Sequence, residues 1–146
     1  MSLQSEFADI ASGDGRAALV TVIAGPSIGA KLLVRADGST DGGLGTPELD
    51  AVGVDAAEEL LWTERSETRE VDATTLFVDV VAPAPRLVIF GAVDYAAALA
   101  RLARAAGWRP FVCDPRSQFA TAARFPDAEE VIAAWPEEAF ARVGGI

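Results

Sequence analysis

The sequence predicts an α/β protein in two parts: a small N-terminal mixed α/β domain over residues 1–82, then a Rossmann-like parallel βαβ domain over 86–146, apparently incomplete. Three observations predict it. Segments rich in β-branched residues and closed by turn signals dominate before residue 82. A strand, helix, strand rhythm follows residue 86, which is the pattern of a parallel α/β sheet. Between them stands Pro83-Ala84-Pro85, where missing N–H donors and fixed backbone angles end strand pairing. The charge changes at the same place: residues 1–82 carry 15 acids and 5 bases, and 83–146 carry 7 of each, so the whole net charge of -10 belongs to the first part.

Taken in order, LQSEFADIAS (3–12) reads as a short amphipathic helix. AALVTVIAG (17–25) is a strand ending at Gly25-Pro26, and AKLLVRADGST (30–40) is a second strand closed by the Asp37-Gly38 turn, the two pairing antiparallel. Thr46 caps a helix that has Pro47 at its first position. Leu49, Val52, Gly53, Ala56, Ala57 and Leu60 follow the spacing of one helical face, with Asp55, Glu58 and Glu59 largely off it, which reads as a solvated acidic surface. ATTLFVDVVA (73–82) is a further strand.

In the second part RLVIFG (86–91) is a continuous apolar run, as expected of a strand buried on both faces. Asp94 is placed to cap a helix through Ala106, with Leu99, Leu102, Ala103 and Ala106 on its buried face and Gly107 as its stop. RPFVCD (109–114) is the next strand, SQFATAARF (117–125) a short helix capped by Ser117, and EEVIAA (129–134) a third strand. Right-handed crossovers are expected.

Composition removes much catalytic chemistry. The 146 residues contain no histidine and one cysteine, Cys113, so His-based acid–base work, His-containing metal sites and paired-cysteine chemistry within one chain are excluded. No metal site is expected and no catalytic residue is named. An overall acidic chain opposes non-specific nucleic-acid or membrane binding. No basic-plus-apolar leader and no apolar run of about 20 residues is present, so a soluble cytoplasmic protein is expected. Within the second part, however, residues 83–126 hold six arginines against Asp94 and Asp114, a local +4, which suits a small anionic ligand.

The candidate site follows from the strand-to-helix loop Gly91-Ala92-Val93-Asp94-Tyr95-Ala96. A dinucleotide fold places glycines there so that backbone can approach a pyrophosphate, and an acid at the end of the next strand takes the ribose hydroxyls. Here Gly91 and Asp114 remain. Val93 adds a branched side chain, and Asp94 sets a carboxylate where the helix dipole would attract an anion. Asp114-Pro115-Arg116 reads either as an acid and an arginine for a sugar or pterin hydroxyl and a phosphate, or as a turn and a surface arginine. Arg124 is a further candidate by position. Cys113 reads as a packed core thiol. Asp41-Gly42-Gly43 is either a turn or a nest of anion-binding N–H groups. Gly25 to Lys31 lacks the Gly-Lys-Ser/Thr of a phosphate loop.

The stretch LVIFGAVDYAAALARLARAAGWRPFVCDPRSQFATAARFPDAEEVI (87–132), with Asp114-Pro115-Arg116, Phe119-Ala120-Thr121 and Arg124-Phe125-Pro126, resembles the Rossmann-like domain of the XdhC/CoxI family. These are accessory factors of xanthine dehydrogenase and carbon monoxide dehydrogenase type molybdoenzymes. ALVTVIAGPSIGAKLLVRADGSTDGG resembles that family's N-terminal domain. The resemblance implies a protein that binds molybdenum cofactor (molybdopterin), protects it during sulfuration and delivers it without catalysing a reaction. It implies as partners the apo-molybdoenzyme and a cofactor sulfurase, with a homo-oligomer such as a dimer expected. The residues expected to hold the cofactor are Gly91, Asp114, Arg116, Gly42 and Gly43. The sequence departs from the family at Val93 and Asp94, where a glycine and a histidine are usual, and at Leu44, where many members have cysteine. Its end after the third strand suggests a fragment or a sheet completed by another chain. The alternatives are an NAD(P)-linked oxidoreductase, with Asp114 or Arg116 reading the ribose, and a scaffold acting through protein contacts.

Overall fold

The computed structural model describes residues 2–144 and divides between Pro83 and Ala84 into two compact units. The first contains α1 (Leu3–Ser12), β1 (Ala17–Ala24), β2 (Lys31–Arg35), β3 (Thr40–Gly43), α2 (Pro47–Thr63), β4 (Glu67–Val71) and β5 (Thr74–Val81). The second contains β6 (Arg86–Phe90), α3 (Asp94–Ala105), β7 (Arg109–Cys113), β8 (Glu130–Ile132) and α4 (Pro136–Arg142).

In the first unit the strands form one antiparallel sheet in the order β3-β2-β1-β5-β4. β1 lies at its centre, and its apolar run is continuous because both faces are covered. Ala18, Val20 and Val22 join Leu32, Val34, Leu76 and Val78 in the core that includes Ala57, Leu60 and Leu61 of α2. Ala17, Leu19 and Leu33, on the opposite face, pack with Phe7 of α1. α2 begins as the sequence predicts: the Thr46 hydroxyl accepts the Leu49 N–H at 3.2 Å and Pro47 follows. Gly53 lets this helix sit close to the sheet, since a Cβ there would lie 2.6 Å from Leu44 Cδ1.

Two strands of this sheet escape the sequence reading. The expected turn at 37–38 does form, with the Asp37 carboxylate accepting the Ser39 N–H at 2.9 Å. It returns the chain as β3 rather than ending the pairing, so Leu32 faces Gly42 and Lys31 faces Gly43. Asp41-Gly42-Gly43 is therefore edge strand, neither turn nor nest. Gly42 sits at φ +88, and a side chain there would collide with the Lys31 carbonyl and Leu3. β4 was hidden by its charges. It is an edge strand whose Arg69 reaches Glu59 and Glu67 at 3.1 Å, and charged edge residues also discourage pairing with other chains.

The second unit is a parallel sheet in the order β6-β7-β8, with Val88 beside Phe111 and Val112 beside Val131. Three expectations change here. The cap of α3 is Val93, and Asp94 is its first helical residue. The buried face of α3 is Ala96, Ala100 and Ala103, whereas Leu99 and Leu102 face outward with Tyr95. Alanines allow the helix to approach the strands closely, and both sets share helical spacing, so periodicity alone favoured the larger residues. Finally, the helix expected over 117–125 is a turn followed by a single 3₁₀ turn at Ala122–Arg124. Pro126 excludes helical geometry from Phe125, which buries its ring in the core instead. α4, which the sequence reading omits, begins with Pro136 at its first turn and packs Ala139 under β7 and β8. Among the described residues no helix is long and apolar enough to cross a membrane.

Candidate functional site

The site forms where β6 and β7 end. Gly91 continues β6 by one residue, donating its N–H to the Cys113 carbonyl at 2.8 Å, and turns the chain at φ +114 into the loop before α3. That angle favours glycine, and nothing lies within 4 Å of where its Cβ would be. Asp114 follows β7 and donates its N–H to the Ile132 carbonyl at 3.0 Å, which anchors it to β8.

The Asp114 side chain points inward and is 2% exposed. Its Oδ2 accepts the Ala92 N–H at 2.9 Å and Arg116 Nη2 at 2.8 Å, while its Oδ1 accepts the Arg116 N–H and Nε, each at 2.9 Å. The Arg116 fork, followed by the Ala92 amide, holds the carboxyl well below the usual carboxylate range despite its burial. The expected reader of ribose or pterin hydroxyls is thus a clamp within the protein. It ties the loop after β6 to the turn after β7, and four donors occupy its two oxygens.

Arg116 is half exposed, and Asp114 engages its Nε and Nη2 but not its Nη1. Its guanidinium lies 4.7 Å from the centre of the Phe119 ring. Arg124 approaches the same ring at 5.7 Å and the Phe125 ring at 5.2 Å. Arg124 Nη1 donates to the carbonyls of Ala92 at 3.0 Å and Phe119 at 2.9 Å, and Nη2 meets Asp94 Oδ1 at 3.3 Å. Ala92, Val93, Asp94, Arg116, Phe119 and Arg124 together line an open cavity of about 200 Å³. Asp94 does not fill the helix end as expected: its side chain is fully exposed, and Val93 offers no oxygen to the first-turn N–H groups.

Of the five residues expected to hold a cofactor, Gly91, Asp114 and Arg116 come together in the second unit, and Gly42 and Gly43 belong to β3 of the first. The Gly42 N–H is taken by the Asp41 carboxylate at 2.9 Å and the Leu44 N–H by Asp50, so the strand does not present the free donors of a nest. Phe119 as the wall between two arginines escaped the sequence reading. Its signal was the spacing of Arg116, Phe119 and Arg124 across a segment too short for a regular helix. Cys113 is buried among Phe111, Ile132 and Ala139, and burial pushes its thiol pKa up. Among the described residues no group of three or more His, Cys, Asp or Glu side chains is arranged to hold a metal ion.

Two family models match the chain in order, one to each unit. Residues 11–72 match the XdhC and CoxI family, and residues 87–143 match the XdhC Rossmann domain. The chain belongs to the XdhC and CoxI family. A curated relative from Bacillus subtilis (strain 168), described as a probable xanthine dehydrogenase subunit, is 38% identical over 65 residues, covering 44% of this chain. The chain spans 20% of that relative's length. A crystal structure of a xanthine dehydrogenase from Bacillus halodurans is 17% identical with a TM-score of 0.41, over 100% of this chain and 72% of that one. Within this XdhC and CoxI family member the departures acquire physical meaning. Leu44, where the resemblance expects cysteine, is wholly buried in the core beneath α2. Val93 leaves the α3 end uncapped, and Asp94 faces Arg124 across the cavity.

Proposed function

We propose that this chain is an accessory factor in the maturation of a xanthine dehydrogenase or carbon monoxide dehydrogenase type molybdoenzyme. In this reading it binds molybdenum cofactor, hands it to the apo-enzyme and catalyses no reaction itself. The observation that carries the reading is the mouth of the second unit, where Arg116 and Arg124 flank Phe119 beside an uncapped helix end. Arginine suits a phosphate because its planar fork can donate two hydrogen bonds. An aromatic face beside it suits a flat heterocycle.

The residues fit the organic part of the cofactor, and among the described residues no group of three or more His, Cys, Asp or Glu side chains is arranged to hold the metal. Leu44 is core and the Cys113 thiol is buried. When bound, the cofactor supplies its own sulfur ligands to molybdenum, and the chain's task is to hold the anionic end. Arg116 is pre-oriented for it by Asp114, and Arg124 by the Ala92 and Phe119 carbonyls. The cavity of about 200 Å³ is smaller than the ~300–1,000 Å³ of enclosing ligand sites. It grips an end of the cofactor and leaves the remainder open for transfer. The partners in this reading are the apo-enzyme and a sulfurase.

The NAD(P)-oxidoreductase alternative loses its main support, because the carboxylate it needs is inside the fold. Purification from a host that makes molybdenum cofactor tests the proposal. The expected result is a pterin that oxidises to a fluorescent product and is retained at a substantial fraction per chain. A preparation free of pterin overturns it.

A further inference from the structure

We infer that the mouth between β6 and β7 selects a lone phosphate monoester and rejects dinucleotides. The inference rests on reading the mouth as the place where an anionic ligand end is held, and it specifies which anion.

A dinucleotide site in a fold of this class needs a glycine loop that lets backbone meet the pyrophosphate and a free carboxylate for the ribose diol. The structure offers neither. Val93 stands where such a loop has a glycine and packs against the core, and Asp94 adds a charge at the cavity rim. Asp114 would have to surrender the Ala92 amide or the Arg116 fork before accepting a hydroxyl, and its 2% exposure leaves no path to it. Losing a hydrogen bond to a buried charge is costly, so the exchange is unfavourable.

The same clamp makes a smaller site. Binding Nε and Nη2 of Arg116 holds the guanidinium beside the Phe119 ring and leaves Nη1 outside the clamp. Arg124, near the same ring, is held by two carbonyls. Two fixed cations lining one cavity suit one tetrahedral anion. Asp94 opposes it, and with Asp114 it balances the two arginines. The site is therefore a weak one when probed with the anion alone, and it depends on the rest of the ligand for affinity.

Calorimetric titration at low ionic strength tests this, using inorganic phosphate, a simple phosphate monoester such as phenyl phosphate, and NAD⁺, which carries no monoester, as probes. The expected result is millimolar binding of phosphate, tighter binding of phenyl phosphate through Phe119, and no binding of NAD⁺ beyond that of phosphate. Arg116→Gln and Arg124→Gln should each weaken phosphate at least tenfold. Arg101→Gln, an exposed change on α3 outside the cavity, should leave it unchanged. Asp94→Asn removes the exposed charge that pairs with Arg124, so it should tighten binding about two- to fivefold. The inference is overturned if NAD⁺ binds more tightly than phenyl phosphate, or if phosphate binding ignores both arginine substitutions. Failure to retain pterin would sink the accessory-factor reading while leaving these titrations as they are, so the two fail separately.

Discussion

Asp114 shows how far a residue's identity and its position can diverge in meaning. Its place at the end of the second strand of the βαβ unit was legible; its orientation was not, because that depends on an arginine two residues on and an amide 22 residues back. Removing it leaves the loop amide and the guanidinium without their common acceptor. Breaking a buried ion pair costs about 3–5 kcal/mol, and with Arg116 half exposed the lower end applies to Asp114→Ala. Urea unfolding followed at Trp108 and Trp135 measures it. The pH dependence has a definite sign. The folded-state pKa of Asp114 is depressed, so its contribution is complete above the unfolded value near pH 4 and is lost as pH falls through the folded value. The Ala92 amide should accordingly stay protected from hydrogen exchange at pH 4 in the wild type and lose protection in Asp114→Asn. Cys113 should remain inert to a thiol reagent at pH 8 until the protein unfolds, since burial raises its pKa and denies access.

At the scale of elements, α3 is the most instructive. The sequence announced a helix and its stop at Gly107 correctly, but leucines and alanines repeat at the same interval, and hydrophobic size favoured the wrong face. Packing density decided the matter: only small residues let the helix lie on β6 and β7. Ala100→Leu should therefore destabilise by about 1–3 kcal/mol through overpacking, whereas Leu102→Gln, at a residue 67% exposed, should stay within about 0.5 kcal/mol. The bare Val93 cap makes a second prediction. Val93→Ser supplies the missing oxygen and should stabilise by about 1 kcal/mol in thermal unfolding. Strands β3 and β4 were illegible for a different reason. Glycines in one and charges in the other carry no alternation of polarity, and only their neighbours in the sheet make them strands.

For the whole molecule, the two-part organisation was read from two prolines and a break in charge, and the family followed from collinear segments on either side. The net charge of -10 belongs to the residues of the first unit, and the Arg116 and Arg124 pair belongs to the second. What composition could not convey is that the paired glycines of the first unit lie in an edge strand, with the Gly42 N–H held by Asp41. The proposed cofactor binding therefore stands on Arg116 and Arg124. The most direct measurement is the pterin content of the wild type and of the Arg116→Gln/Arg124→Gln double variant, both purified from a host that produces molybdenum cofactor. The expected result is pterin on the wild type and at least a tenfold loss on a double variant that remains folded. Wild-type protein without pterin, or a folded double variant that keeps it, would contradict the proposed role.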